Sequence, residues 1–175
     1  SAMRVEFARS PQAIGTRKPR FSWEVPDGGR GKRQSAYEVL VASSRERVTP
    51  GDADLWDSGR VASSQSTNVA YSGRRLGSNW DCYWTVRLWD ALGTEISTGR
   101  ISRFETGLFE ASDWTGDWIG LGDPNEPYAD PASFQQDRVA SELQDFEPDP
   151  HAPLLRRSFT VGLPVTRGRI FVCGL

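Results

Sequence analysis

What most limits the fold of this chain is a strict alternation of apolar and polar side chains in short runs, each closed by Gly, Pro, Asn, Asp or Ser. Phe21, Trp23 and Val25 share one side while Ser22 and Glu24 share the other; Tyr37, Val39 and Val41 repeat the pattern with Glu38 outside. Cys82, Trp84, Val86 and Leu88 form a third apolar face, opposed by Tyr83, Thr85, Arg87 and Trp89. A period of two is the spacing of a half-buried strand and not of a helix. Weaker strands read at residues 4–7, 57–61, 66–71 and 101–106. Seven strands separated by turns about every ten residues predict an all-β, two-sheet sandwich of about 100 residues. Its inner faces should meet at Trp23, Tyr37, Val39, Trp84 and Val86. Pro26-Asp27-Gly28-Gly29 and Gly51-Asp52 are turn chemistry, and residues 44–55 have room for one short helical turn.

Composition narrows the classes further. Hydrophobic residues are 37% and charged residues 25% of the 175, a globular balance, and no apolar run reaches the roughly 20 residues a membrane helix needs. No charged head followed by an apolar stretch marks a secretory signal, so with Met3 as the natural start and Ser1-Ala2 as a tag remnant a cytoplasmic protein is expected. Two cysteines, Cys82 and Cys173, lie far apart and outside any C-x-x-C spacing, which points to a buried Cys82 and not to a disulfide framework or zinc cage.

Charge is unevenly placed. Residues 1–110 carry 16 basic and 13 acidic side chains, and residues 111–175 carry 5 and 10, which sets a boundary near residue 110. Between 122 and 153 fall 6 of the 11 prolines and 8 acidic residues against the single Arg138. With the tryptophans before it, residues 111–153 read as a Trp-containing junction and an acidic, Pro-rich linker, with room for a brief helix at 141–146. Residues 154–161 and 169–172 read as two further strands, the opening of a second, incomplete sandwich over 154–175. Two strands cannot bury a core alone, so they should expose pairing edges.

The order of several segments carries a resemblance: Pro19-Arg20-Phe21-Ser22-Trp23, Gln34-Ser35-Ala36-Tyr37-Glu38-Val39-Leu40-Val41-Ala42-Ser43-Ser44, Leu55-Trp56-Asp57-Ser58-Gly59, Tyr83-Trp84-Thr85-Val86-Arg87-Leu88-Trp89-Asp90, Phe104-Glu105-Thr106-Gly107-Leu108, and Trp114 with Trp118-Ile119-Gly120. Together they resemble the N-terminal region of bacterial α-L-rhamnosidases. The resemblance implies a fibronectin type III/immunoglobulin-like sandwich over residues 1–110, followed by a second β-sandwich that Leu155–Val161 and Gly168–Leu175 would open. It further implies that the catalytic carboxylate pair of the family, in the inverting arrangement, sits on a helical barrel absent from these residues. A non-catalytic accessory module is therefore expected, with other domains of the same polypeptide as partners, no cofactor, no metal, no nucleic acid and no membrane.

Other constellations favour bland readings. Asp52 with Asp54, and Glu142 with Asp145 and Glu147, lie in polar loops where nothing raises one carboxyl selectively. The 51–57 run lacks calcium-loop ligand spacing, since Trp56 stands where a ligand should be. His151, between prolines, is a poor catalytic base. Gly28-Gly29-Arg30-Gly31-Lys32 lacks phosphate-loop spacing. Arg17-Lys18-Arg20 and Arg30-Lys32-Arg33 read as solvated loops on a nearly neutral domain. The aromatics carry the open question. Trp80, Tyr83 and Trp89, with Asp81, Arg87 and Asp90 alongside, could form a sugar platform for rhamnosides. Trp114 and Trp118 stand where a joint to a neighbouring domain would be. Domain packing is the favoured role for all five, a carbohydrate-binding module is the rival, and a general fibronectin-type protein-interaction domain is the third.

Overall fold

Seven strands form where the alternation predicts them. The computed structural model describes residues 2–26, 33–96, 99–116, 160–162, 164–165 and 167–172. The strands are β1 (Met3–Val5), β2 (Arg20–Trp23), β3 (Gln34–Ala42), β4 (Trp56–Asp57), β5 (Val69–Ala70), β6 (Asp81–Asp90) and β7 (Ser102–Glu105). They make two antiparallel sheets, β1-β2-β5 and β4-β3-β6-β7. The fold is the expected all-β sandwich.

Register explains which side chains meet. Tyr37 pairs with Leu88, Val39 with Val86 and Val41 with Trp84, so one face of β3 and β6 enters the core. Phe21 and Trp23 enter it from the other sheet, with Phe21 4.7 Å from Trp84 edge-on and Trp23 5.2 Å from Tyr37. Such T-shaped pairs add to the area term. The buried Trp23 indole N–H donates to Gln34 Oε1 at 2.9 Å, and Gln34 Nε2 donates to the carbonyls of Ser63 and Gln65. The polar end of a core ring is thereby satisfied. Cys82 is fully buried in the same core.

Some expectations are corrected. Glu38, read as outside, does lie on the outer face of β3 but is buried there, opposite Arg87 and bonded to it. Val25 lies beyond the end of β2. Residues 44–55 hold turns and no helix, closed by Asp52 N and Ala53 N donating to Thr49 O. The expected strand at 57–61 is only Trp56–Asp57, with Val61 bridging Tyr37, and 66–71 shortens to Val69–Ala70. β1 stops at Val5 because Glu6 and Phe7 take positive φ of 47° and 67°.

Those left-handed residues, with Ser10 and Ala13 after them, turn the chain from one sheet toward the other. Beyond the turn, Ile14 lies parallel to Thr106: Ile14 N donates to Glu105 O at 2.8 Å, Gly107 N to Ile14 O at 2.9 Å and Glu105 N to Pro11 O at 2.9 Å. The C-terminal end of the free edge of β7 is covered in this way.

The chain divides into two units, Ser1–Thr115 and Gly116–Leu175. Among the described residues of the second, none is in a strand, and 169–172 carry no ladder despite the expectation of one. Ile170 and Val172 stand in solvent there, as two-sided apolar segments do without a sheet to bury them. Residues 154–159, the brief helix at 141–146, Trp118, His151 and Cys173 lie outside the described residues.

Candidate functional site

Of the three rings read as a rival sugar platform on the outward face or loops of one strand pair, Tyr83 and Trp89 lie on the outer face of the four-stranded sheet, where they have other work. Ala42 stands opposite Tyr83 and Leu40 opposite Thr85, all pointing away from the main core. The turns at 44–55 fold over them. Leu40, Ala42 and Val48 form a small second core, with Ala53, Tyr83 and Ile101 packed at its margin. Thr85 Oγ1 donates to Arg100 O at 2.7 Å, so its buried hydroxyl is satisfied. Tyr83 seals this layer instead of offering an open ring.

Trp89 lies further along the same face, opposite Ala36, and is only 8% exposed. Two guanidinium groups approach its ring, Arg60 at 4.7 Å and Arg87 at 5.0 Å. Arg87 is itself held by Glu38 at 2.8 Å and by Glu95 at 2.8 Å. Sugar stacking needs an uncovered ring face, and Trp89 is occupied by cations.

Trp80 and Trp114 are different, at 38% and 44% exposed. Both belong to the corner where the chain leaves the sandwich. Thr106 builds the inner wall of this corner: its Oγ1 accepts from Trp80 N at 2.7 Å and donates to Gly77 O at 2.8 Å, while its N–H donates to Trp80 O at 3.0 Å. Asn79 N donates to Gly107 O at 3.0 Å. A Cβ at Gly77 would fall 2.3 Å from the Trp80 ring, so only glycine lets the indole lie down on this turn.

The outer wall is Asp113, at the end of a 3-10 turn, Ala111–Asp113. Its Oδ2 accepts from Ser78 Oγ, from Phe109 N at 3.1 Å and from Glu110 N at 2.9 Å. The Ser78 bond, then the backbone bond from Glu110, hold this carboxyl below its usual range. Glu110 in turn receives Arg17 and Arg75, and Arg17 lies 4.2 Å over the Phe109 ring while donating to Leu76 O. Residues 106–114 are thus tied to 76–80 and to 14–17 by several independent bonds.

Sequence reasoning named Trp80 and Trp114 here but missed Ser78, Thr106, Asp113, Glu110 and Arg17. Asp113 three residues after Glu110 was a local turn signal; its partner Ser78 is 35 residues away and leaves no pattern. Carboxylates proposed elsewhere are used locally: Asp54 accepts from Ser43 N and Oγ and meets Arg47, and Asp57 caps Gly59. No group of three or more His, Cys, Asp or Glu suited to a metal occurs among the described residues. Arg17 and Arg20 of the first basic cluster are ion-paired to Glu110 and Glu6; in the second cluster Arg30 and Lys32 lie outside the described residues.

Residues 1–110 match the family described as Rha78A-like, N-terminal immunoglobulin domain. An α-L-rhamnosidase of Formosa agariphila is 33% identical over 168 residues, covering 95% of this chain and 17% of that protein. The crystal structure of Streptomyces avermitilis α-L-rhamnosidase complexed with L-rhamnose superposes with a TM-score of 0.64 at 39% identity, over 69% of this chain and 12% of that one. The α-L-rhamnosidase from Dictyoglumus thermophilum gives a TM-score of 0.64 at 32% identity, over 69% and 13%. The chain therefore spans about a sixth or less of the length of these proteins.

Proposed function

The chain belongs to the Rha78A-like N-terminal immunoglobulin domains, and from that premise we propose that it is a non-catalytic module of an α-L-rhamnosidase that positions neighbouring domains of the same polypeptide. The observation that carries this reading is the exit corner. Asp113, Glu110 and Thr106 tie the departing chain to two separate loops, while Tyr83 and Trp89 are consumed inside the module. A joint needs a fixed exit direction more than it needs a cleft. On this reading the rhamnoside-cleaving carboxylates belong to another part of the polypeptide. The 175-residue chain should release no nitrophenol from a nitrophenyl α-L-rhamnoside, and in the full polypeptide Asp113→Ala should lower turnover or thermal midpoint. Release by the purified chain would overturn the proposal.

A second reading keeps sugar binding at the corner, favoured by the two exposed indoles, Trp80 and Trp114. Titration of rhamnosides while following Trp fluorescence decides it. A saturable change lost in Trp80→Ala supports binding, and silence at millimolar sugar removes it.

A further inference from the structure

Four guanidinium groups among the described residues lie over aromatic rings: Arg17 on Phe109, Arg20 on Phe7, and Arg60 and Arg87 on Trp89. Three of them also hold a carboxylate: Arg17 has Glu110, Arg20 has Glu6, and Arg87 has Glu38 and Glu95. Arg60 is exposed and pairs with no carboxylate among the described residues. The contact of its Cζ with the Trp89 ring, 4.7 Å from the centroid, restrains the guanidinium. A planar fork held in this way is pre-organised for two parallel bonds to a carboxylate.

Beside it stands a rigid apolar tip. Arg60 Nη2 lies 3.9 Å from the position a Cβ on Gly93 would take. Gly93, with φ of +79°, turns the loop between Asp90 and Thr94. Asp90 Oδ1 accepts from Leu92 N and Thr94 N, both at 2.9 Å, and Gly93 N donates to Asp90 O at 3.0 Å. This braced turn displays Leu92 at 90% exposure. The backbone that carries Leu92 is already ordered and Arg60 is restrained by Trp89, so docking there orders little further chain.

We propose that Arg60 and Leu92 form a docking point for another domain of the same polypeptide, one that presents a carboxylate to the guanidinium and a small apolar pocket to the leucine. This rests on the positioning reading above. Three observations select that occupant. A carboxylate offers Arg60 both an opposite charge and two parallel acceptors, whereas a neutral sugar hydroxyl offers an acceptor alone. Residues 1–110 carry three more basic than acidic side chains, 16 against 13, which favours an acidic complement. The related proteins are more than five times as long as this chain, so a large partner surface exists in them.

The test compares thermal unfolding of the full polypeptide with that of the 175-residue chain, each with and without Arg60→Glu or Leu92→Asp. In the full polypeptide each substitution should lower the module's transition by about 4 °C, with Arg60→Lys, which keeps charge but not the fork, falling between. In the 175-residue chain alone Leu92→Asp should melt as the parent does, and Arg60→Glu should lose only the smaller contribution of its contact with Trp89. An unmoved transition in the full polypeptide overturns the docking point and leaves the positioning reading standing. Equal losses in both contexts make the residues merely structural and also overturn it. A parent module that melts identically alone and in the full polypeptide sinks the positioning reading and this inference together.

Discussion

On the outer side of β3, Leu40 and Ala42 are as buried as Val39 and Val41 on the inner side, whereas on the outer side of β1 and β2 Arg4 and Arg20 stand in solvent. The two sheets enclose one core, yet only the four-stranded sheet has a second layer, made by the turns at 44–55, Tyr83 and Ile101. Strand length follows this division. β3 and β6 run for 9 and 10 residues, and β1 and β2 for 3 and 4. A strand buried on both faces gains from every added residue, while a strand with a wet outer face gains from every second one. The module is thus a stiff two-sided sheet carrying a lighter, one-sided lid.

The comparison breaks first at Leu40. If the second layer is a true core, Leu40→Ala costs about 3 kcal/mol, the usual range for emptying a buried leucine site, read by urea unfolding. A loss below about 0.5 kcal/mol would mean the turns at 44–55 cover the face without packing on it. Glu38→Ala, which removes one of two carboxylates on the half-buried Arg87, should cost about 2 kcal/mol, the scale of a charged hydrogen bond. Its equivalent on the other sheet, Arg4→Ser, should stay within about 0.5 kcal/mol. A further small effect is set by pH. The side-chain bond from Arg20 holds Glu6 below its ordinary value, so its contribution is complete above the usual carboxylate range and fades as pH falls through the lowered value. At a half-exposed pair this amounts to less than about 1 kcal/mol. Denaturation at pH 7 and pH 3 should show Glu6→Gln flattening that part of the pH dependence and nothing more.

Much of the lid and the inner core was legible in the sequence, because Phe21-Ser22-Trp23 and Cys82 to Leu88 alternate cleanly. The second layer was less so. Glu38 read as solvent-facing, although Val39-Leu40-Val41-Ala42 is a continuous apolar run, the mark of a strand covered on both sides. The loss of strand at 169–172 follows from context, since Ile170 and Val172 need a sheet beside them that alternation alone does not supply. At the aromatic sites, residue type was readable and availability was not. Whether Trp89 has a free face is decided by Arg60, 29 positions away, and whether the corner is rigid is decided by Ser78 reaching Asp113. Periodicity records which way a side chain points, and it carries no information on what arrives from elsewhere to meet it.

The parallel run of Ile14 beside Thr106 has a mechanical consequence. Residues 11–14 and 105–107 run side by side in the same direction, so a pull that separates the start of the first from the end of the second loads the bonds among Pro11, Ile14, Glu105 and Gly107 in shear. Bonds stressed side-on must yield together, whereas a peeled hairpin surrenders them one at a time. Tension carried past β1 would meet the bonds of this seam together.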